Sequence, residues 1–235
     1  MIYLKKSTSE PEELAVEREK SNGNYAIPSV LMKLKDEFKD KCYICEYKNP
    51  TTINVEHFVS HQGNHHLKFD WSNLFLACSH CNNIKRNLYD NMLNCTRIED
   101  NVENAIKFHI DPIPFKEVEV SPLVRNEKVF QTVDLLNKVY NGTTTMKKIE
   151  SNYIRQALVE EMLLFFENLT KYFKAGTPAL KEFIKLQIGE QLDSSSPFTI
   201  FKRWVIKDTP KLMEEFGSFI PSSHHHQAVD EARTS

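Results

Sequence analysis

Four of the five cysteines in this 235-residue chain form two pairs with identical spacing. Cys42 and Cys45 make one Cys-x2-Cys pair, Cys78 and Cys81 make the other, and Cys95 stands alone. Two such pairs predict a tetrahedral four-cysteine zinc site, with redox dithiols or chance spacing as the alternatives. Because four thiolates leave no coordination position open, the zinc is expected to be structural. Cys95 is expected to be a small buried apolar side chain.

Polar side chains that could cut a phosphodiester bond lie between and just after these pairs. Glu56 and His57 are neighbours, and Asn82 is followed three and four residues later by Lys85 and Arg86. Carboxylate and amide oxygens bind a hard cation such as Mg²⁺ or Mn²⁺, an imidazole can activate water, and the two basic side chains are candidates for phosphate contact. Each residue also has an ordinary interpretation: a surface carboxylate, a core histidine, a helix N-cap and two solvated cations.

Other histidines could assist such a site. His61, His65, His66 and His80 are expected to be loop residues, and spacing alone does not say which of them would help to bind a metal. Residues 224–226 are three consecutive histidines in a polar tail. A tract of this kind can bind metal, but an untethered tail is the favoured interpretation.

The elements that must position these residues can be predicted from periodicity. Residues 53–59 alternate in polarity, which predicts a strand, and the segment DWSNLFLA predicts a second extended stretch. From Asn82 onward a helix is expected, with Ile84, Leu88 and Met92 on one stripe. Adjacent strand residues point to opposite faces, so a bulge or the strand end must bring the glutamate and histidine to one site. The zinc would therefore clip a strand–loop–strand–helix unit.

The order of these motifs resembles the HNH, or ββα-metal, endonucleases. CxxC, EH, the Asn of DWxNL, and CxxCN with a Lys three residues after its Asn agree in order and spacing over residues 41–87. By this resemblance His57 is the general base, and Asn73 holds the loop and the base in place; an ordinary turn-forming asparagine is the alternative for Asn73. Asn82 stands in for the last histidine as a ligand of the catalytic divalent cation, and Glu56 takes the position of an aspartate that is the second ligand.

A narrower likeness extends beyond this motif. The MIYLKK start, the EHF and DWxNLFxAC segments, FHIDP near residue 108 and TVDLLNKVYNG near residue 132 are similar to PtuB-type nucleases. Those nucleases pair with an ABC-type ATPase, PtuA, in Septu and some retron antiphage defence systems. The resemblance implies an effector nuclease that acts on double-stranded DNA by default under the control of a PtuA-like ATPase. RNA, including tRNA, is the alternative substrate, because the chemistry needs only a phosphodiester.

Composition and charge set limits on these interpretations. The chain is 40% hydrophobic and 26% charged, which is typical of a globular protein. It has neither an 18-residue apolar run nor an apolar signal region, so a cytoplasmic location is expected. Its net charge of −2 favours a nuclease controlled by a partner over a free-standing one, which would need a broader basic surface. A zinc-ribbon module that binds nucleic acid or protein without cutting is the rival interpretation.

The predicted fold class is α+β, predominantly helical, with a zinc-clipped ββα core and a helical C-terminal extension. Ser29 is expected to cap a helix, and Thr177-Pro178 and Ser196-Pro197 are expected to start two others.

The predicted divisions are an N-terminal arm over 1–28 (solvated, or ordered on a partner), the nuclease core over 29–110, a proline-marked linker over 111–122, a helical domain over 123–221 that carries a protein interface, and a flexible tail over 222–235.

Overall fold

A computed structural model describes residues 1–111, 113 and 116–221 of the chain. The predicted α+β class is confirmed, with about 54% helix and two small sheets. No helix in this part of the chain has the length and apolar character needed to cross a membrane. The elements in order are α1 Glu12–Arg18, α2 Pro28–Glu37, β1 Ile53–His57, α3 His65–Phe69, β2 Leu74–Cys78, α4 Ser79–Lys85, α5 Val102–Ala105, β3 Ile106–His109, β4 Glu119–Pro122, α6 Glu127–Asn141, α7 Thr145–Lys174, α8 Pro178–Leu192, α9 Thr199–Lys207 and α10 Pro210–Phe216.

The predicted strand–loop–strand–helix order is confirmed around the cysteines. Strands β1 and β2 are antiparallel, with Ile53 opposite Cys78 and His57 opposite Leu74. The pairing is continuous, so no bulge interrupts β1, and His57 is its last residue. Every residue of β2 is buried, as expected for a strand covered on both faces. Helix α4 begins directly after β2, which places Cys78 and Cys81, two of the four zinc-ligand candidates, at the junction of the two elements.

Helix α4 is shorter than the apolar stripe predicts. It ends at Lys85, because Arg86 adopts φ 47° and ψ −140°, outside the helical region. Leu88, expected on the buried stripe, is 69% exposed, whereas Met92 is buried. The early end of the helix lets the chain turn away while Lys85 reaches into the interior.

The N-terminal residues do not form a solvated arm. Leu4 is buried, and its backbone N–H donates to Cys95 O at 2.9 Å. Helix α1 buries Leu14 completely. Helix α2 begins with Pro28 at its first position after Ile27, so the predicted Ser29 cap is wrong. The region is polar on average, but individual apolar side chains, Leu4 and Leu14, pack against the core. Average polarity therefore did not predict its structure.

The predicted linker is partly a strand. Strand β4 pairs antiparallel with β3, so the last four residues of the predicted linker, 119–122, belong to a sheet. The apolar side chain of Val120 lies in the core, which accounts for this pairing. Pro112, Pro114 and Phe115 lie outside the described residues, as do residues 222–235, which include the histidine tract.

The C-terminal region is helical, as predicted. Helix α6 ends before Gly142, and Thr177 accepts a hydrogen bond from Leu180 N to cap α8. Ser196-Pro197 does not start a helix, since α9 begins at Thr199 after Phe198 in the left-handed region.

Hydrogen bonds join this helical region to the zinc unit. The hydroxyl of Tyr140 on α6 donates to Cys45 O at 2.9 Å, within the first cysteine pair. Lys41 Nζ donates to Ser196 O at 2.9 Å, and Phe198 N donates to Glu46 O at 3.3 Å. The helical region therefore packs directly on the cysteine-rich core.

Packing of the N-terminal region predicts a difference between two substitutions on α1. Leu14→Ala should lower the free energy of unfolding by about 2–5 kcal/mol, because it leaves a cavity in the core. Val16→Ala is the matched control on the same helix; its side chain is 59% exposed. The control should change stability by less than about 0.5 kcal/mol. Urea denaturation measures both, and equal effects would mean that α1 does not pack on the core.

Candidate active site and zinc site

The four paired cysteines lie together as the spacing predicts. The sulfur atoms of Cys42, Cys45, Cys78 and Cys81 are all within 4.8 Å of one another, and all four residues are buried. Sulfurs around a tetrahedral zinc with bonds of about 2.3 Å lie about 3.8 Å apart. The Cys45 and Cys78 sulfurs are 3.9 Å apart, so the cluster could hold a structural zinc ion. Among the described residues it is the one group of three or more His, Cys, Asp or Glu side chains with the geometry for a metal.

Cys95 is separate from this cluster. It is completely buried, and desolvation raises the pKa of its thiol to about 12. The side chain is therefore a neutral thiol, as its expected role as a small apolar residue requires.

His57 is held in a defined orientation at the end of β1. Its Nε2 lies 3.0 Å from the carbonyl oxygen of Lys68. A carbonyl only accepts hydrogen bonds, so Nε2 must carry the proton, and Nδ1 of the neutral ring has a free lone pair. Burial lowers the pKa of His57, which keeps the ring neutral. The side chain therefore has the protonation state that a general base needs.

Asn73 connects the end of β1 to the loop that follows it. Its side-chain oxygen accepts from Val59 N at 2.7 Å, and its amide nitrogen donates to Val59 O at 2.9 Å and to Leu67 O at 3.0 Å. Leu67 immediately precedes Lys68, whose carbonyl orients His57. With its amide engaged in this way, Asn73 can position the base without touching a substrate.

Glu56 and Lys85 form a buried ion pair beside His57. One carboxylate oxygen of Glu56 is 2.8 Å from Lys85 Nζ, and the other accepts from the Tyr43 hydroxyl at 2.9 Å. Lys85 is fully buried and also donates to His57 O at 3.0 Å. Desolvation raises the pKa of Glu56 to about 7, against the opposing effect of Lys85. The predicted phosphate contact of Lys85 is not supported, because its ammonium is enclosed by the protein.

Asn82 and Arg86 are the more accessible members of the predicted set. Asn82 is half-buried, and its side chain has no hydrogen-bond partner in the part of the chain that the structure describes. Cys78 is the N-cap of α4, so the interpretation of Asn82 as an N-cap is wrong. Arg86 is exposed, and its one side-chain hydrogen bond to the described residues is from Nε to Asn83 O at 3.0 Å. The remaining donors of the guanidinium are available to a phosphate.

The donor chemistry of Glu56 and Asn82 fits a hard divalent cation. Asn82 is three residues before Lys85 and therefore on the same face of α4, and Lys85 contacts Glu56. A carboxylate offers about four lone-pair positions, and Tyr43 and Lys85 use one each. The Lys85 ammonium already pairs with the Glu56 carboxylate. A metal cation bound to the same carboxylate would therefore compete with Lys85 for it.

Two further side chains join the site: Tyr25, which sequence reasoning missed, and His61, one of four histidines among which spacing could not choose. Tyr25 lies edge-on to the His57 ring at 4.5 Å between ring centroids, and His61 lies 4.6 Å from the same ring. Lys68 Nζ donates to Gly23 O at 3.0 Å, which anchors the segment that carries Tyr25. Tyr25 is 32 positions before His57, and no spacing pattern links them. The only hint in this segment is Gly23, two residues before Tyr25. The chain passes so close to Glu17 there that a Cβ atom at position 23 would lie 1.8 Å from Glu17 O.

The other histidines lie elsewhere, and three of them are helical rather than in loops. His65 and His66 are exposed residues of α3. His80 is in α4, with Nδ1 2.6 Å from a Glu150 carboxylate oxygen and Nε2 2.8 Å from Val139 O. His80 therefore links the zinc unit to α6 and α7.

Comparison with known proteins adds no functional assignment. The chain matches no protein-family model, no curated protein and no solved structure.

The zinc site predicts different effects of two cysteine substitutions. Cys81→Ser should abolish zinc binding and cooperative unfolding, because it removes one of four ligands. Cys95→Ser is the control, a buried cysteine outside the cluster. It should retain about one zinc ion per chain by elemental analysis. Full zinc content in purified Cys81→Ser protein would contradict the assignment.

The buried ion pair predicts a large stability effect at Lys85. At pH 8, where Glu56 is ionised, Lys85→Met should lower the free energy of unfolding by about 3–5 kcal/mol, because it leaves the carboxylate buried without its cation. The exposed neighbour provides a control, Arg86→Met, with an expected change of less than about 0.5 kcal/mol. Denaturation of the zinc-loaded proteins gives both values. Equal stabilities would show that the ion pair does not form.

Proposed function

We propose that this chain is a metal-dependent HNH endonuclease that hydrolyses phosphodiester bonds, with DNA as its default substrate. The observation that carries the proposal is the state of His57: Nε2 faces the Lys68 carbonyl, and Nδ1 keeps its lone pair. A buried histidine fixed in this way at the end of a zinc-clipped hairpin fits a general base. The motif resemblance over residues 41–87 supplies the reaction class.

The proposed mechanism uses the described side chains in separate roles. His57 takes a proton from the water that attacks phosphorus, and Asn73 keeps the loop and the base in place. Arg86 contacts a phosphate. Glu56 and Asn82 would hold a divalent cation, Mg²⁺ or Mn²⁺, which stabilises negative charge on the phosphate and on the leaving 3′-oxygen when bound.

The biological setting we propose is an antiphage defence complex in which a PtuA-like ATPase controls the nuclease. The near-neutral charge supports partner control, since nucleic-acid affinity depends on cationic contacts. A protein interface on the C-terminal helices fits their exposed apolar side chains, Leu163, Leu164 and Phe173 on α7 and Leu180, Phe183 and Leu186 on α8.

A second candidate is a zinc module that binds nucleic acid or protein without cutting. One observation favours it: both oxygens of Glu56 already have partners inside the protein. If Glu56 stays paired with Lys85 and does not bind a metal, the catalytic site lacks a ligand. The protein would then bind nucleic acid or protein without cutting.

Cleavage by the co-expressed complex tests the proposal. The chain and a neighbouring ATPase gene product are incubated with plasmid DNA and total RNA in Mg²⁺ or Mn²⁺. His57→Ala should abolish cleavage while it retains zinc and fold, and His65→Ala, at an exposed position on α3, should cleave at the wild-type rate. The polymer that is digested identifies the substrate class. No cleavage under any metal or nucleotide condition would favour the binding module.

The state of His57 also predicts the pH dependence of cleavage. A general base acts when unprotonated, and burial lowers the pKa of His57 from its ordinary value of about 6.5. At a Mg²⁺ concentration that saturates the site, so that the Glu56 carboxylate stays ionised despite its raised pKa, activity should therefore persist to lower pH than an exposed histidine would allow, with the acid limb of kcat/KM centred below about 6.5. A limb centred above 7 would contradict the role of a buried neutral His57.

A further inference from the structure

His61 is the one histidine among the described residues whose ring packs against His57. The two ring centroids are 4.6 Å apart, with an interplanar angle of 60°. Tyr25 lies 4.5 Å from the His57 ring and 6.4 Å from the His61 ring, so the three rings form one cluster. His61 is half-buried, which leaves part of its ring accessible to a bound molecule.

Hydrogen bonding sets the tautomer of His61, as it does for His57. Gly63 N lies 3.1 Å from His61 Nδ1. A backbone N–H only donates, so Nδ1 must hold a lone pair, and the proton of the neutral ring is on Nε2. Gly63 has φ 84°, a left-handed conformation that favours glycine, so the turn that brings this amide to the ring depends on Gly63. No described residue accepts a hydrogen bond from His61 Nε2.

The two neighbouring imidazoles therefore present opposite groups. His57 offers a lone pair at Nδ1, whereas His61 offers an N–H donor at Nε2. Hydrolysis of a phosphodiester needs both: an acceptor for the proton of water and a donor for the charge that develops on the phosphoryl oxygens.

We infer that His61 is a further catalytic residue, which donates a hydrogen bond from Nε2 to a non-bridging oxygen of the scissile phosphodiester. This inference rests on the proposed nuclease function. The proton stays on His61 throughout, and no bond to the imidazole forms or breaks. His61 is not a metal ligand, because ligation through Nε2 would move the proton to Nδ1, against the Gly63 N–H.

Kinetics of His61 variants in the co-expressed complex test the inference. Loss of one donor to a developing oxyanion lowers kcat by about 100- to 1,000-fold, which is the effect expected for His61→Ala. His61→Gln should recover part of the rate through its side-chain amide. The control is His65→Ala at its exposed site on α3, which should match the wild type. A kcat unchanged in His61→Ala would overturn the inference.

Two further measurements separate a phosphate contact from other roles. Sulfur accepts hydrogen bonds weakly, so one phosphorothioate diastereomer should slow the wild type, and this slowing should disappear in His61→Ala. A merely structural role would leave the sulfur effect in place, and that result would overturn the inference. The Kd for Mn²⁺ alone, measured by electron paramagnetic resonance, should be the same in both proteins. Loss of Mn²⁺ binding in His61→Ala would instead make His61 a metal ligand.

The outcomes also distinguish this inference from the proposed function. If the wild type does not cleave, or if His57→Ala cleaves at the wild-type rate, the nuclease proposal fails and this inference fails with it. If the wild type cleaves, His57→Ala does not, and His61→Ala matches the wild type, only the role of His61 is wrong.

Discussion

The four-cysteine cluster is the constraint on which the rest of the site depends. It joins the segment before β1 to the junction of β2 and α4, through four sulfurs within 4.8 Å of one another. Because β1 pairs along β2 and α4 starts where β2 ends, this junction sets the position of Lys85 relative to Glu56 and His57. A zinc ion at the cluster would therefore stabilise the geometry of the site as well as the fold.

The general-base candidate is held at both its backbone and its ring. Lys85 donates to the carbonyl of His57, and the carbonyl of Lys68 accepts from its ring. Burial removes Lys85 and Glu56 from water, and their mutual attraction offsets only part of that desolvation free energy. The pair therefore fixes the geometry of the site more than it adds to stability. The same pair limits the site, because a cation that binds Glu56 must share the carboxylate with Lys85.

Local patterns in the sequence predicted much of this arrangement. The Cys-x2-Cys spacing identified the cluster, alternation identified β1, and Thr177-Pro178 identified the start of α8. What escaped prediction depends on contacts between distant residues. Lys85 resembled a solvated helix cation because its partner, Glu56, is 29 positions away, and Tyr25 lies in a polar stretch that packs only once the core exists. The early end of α4 follows from the conformation of Arg86, which periodicity does not encode.

The tautomer of His57 can be measured directly from imidazole ¹⁵N chemical shifts in the zinc-loaded protein. Because Nε2 faces the Lys68 carbonyl, the ring should be neutral, protonated at Nε2 and unprotonated at Nδ1. His65, exposed on α3, provides an internal reference for a ring without this constraint. A His57 ring protonated at Nδ1, or charged at neutral pH, would leave no lone pair on Nδ1 to accept a proton from water and would contradict its role as general base.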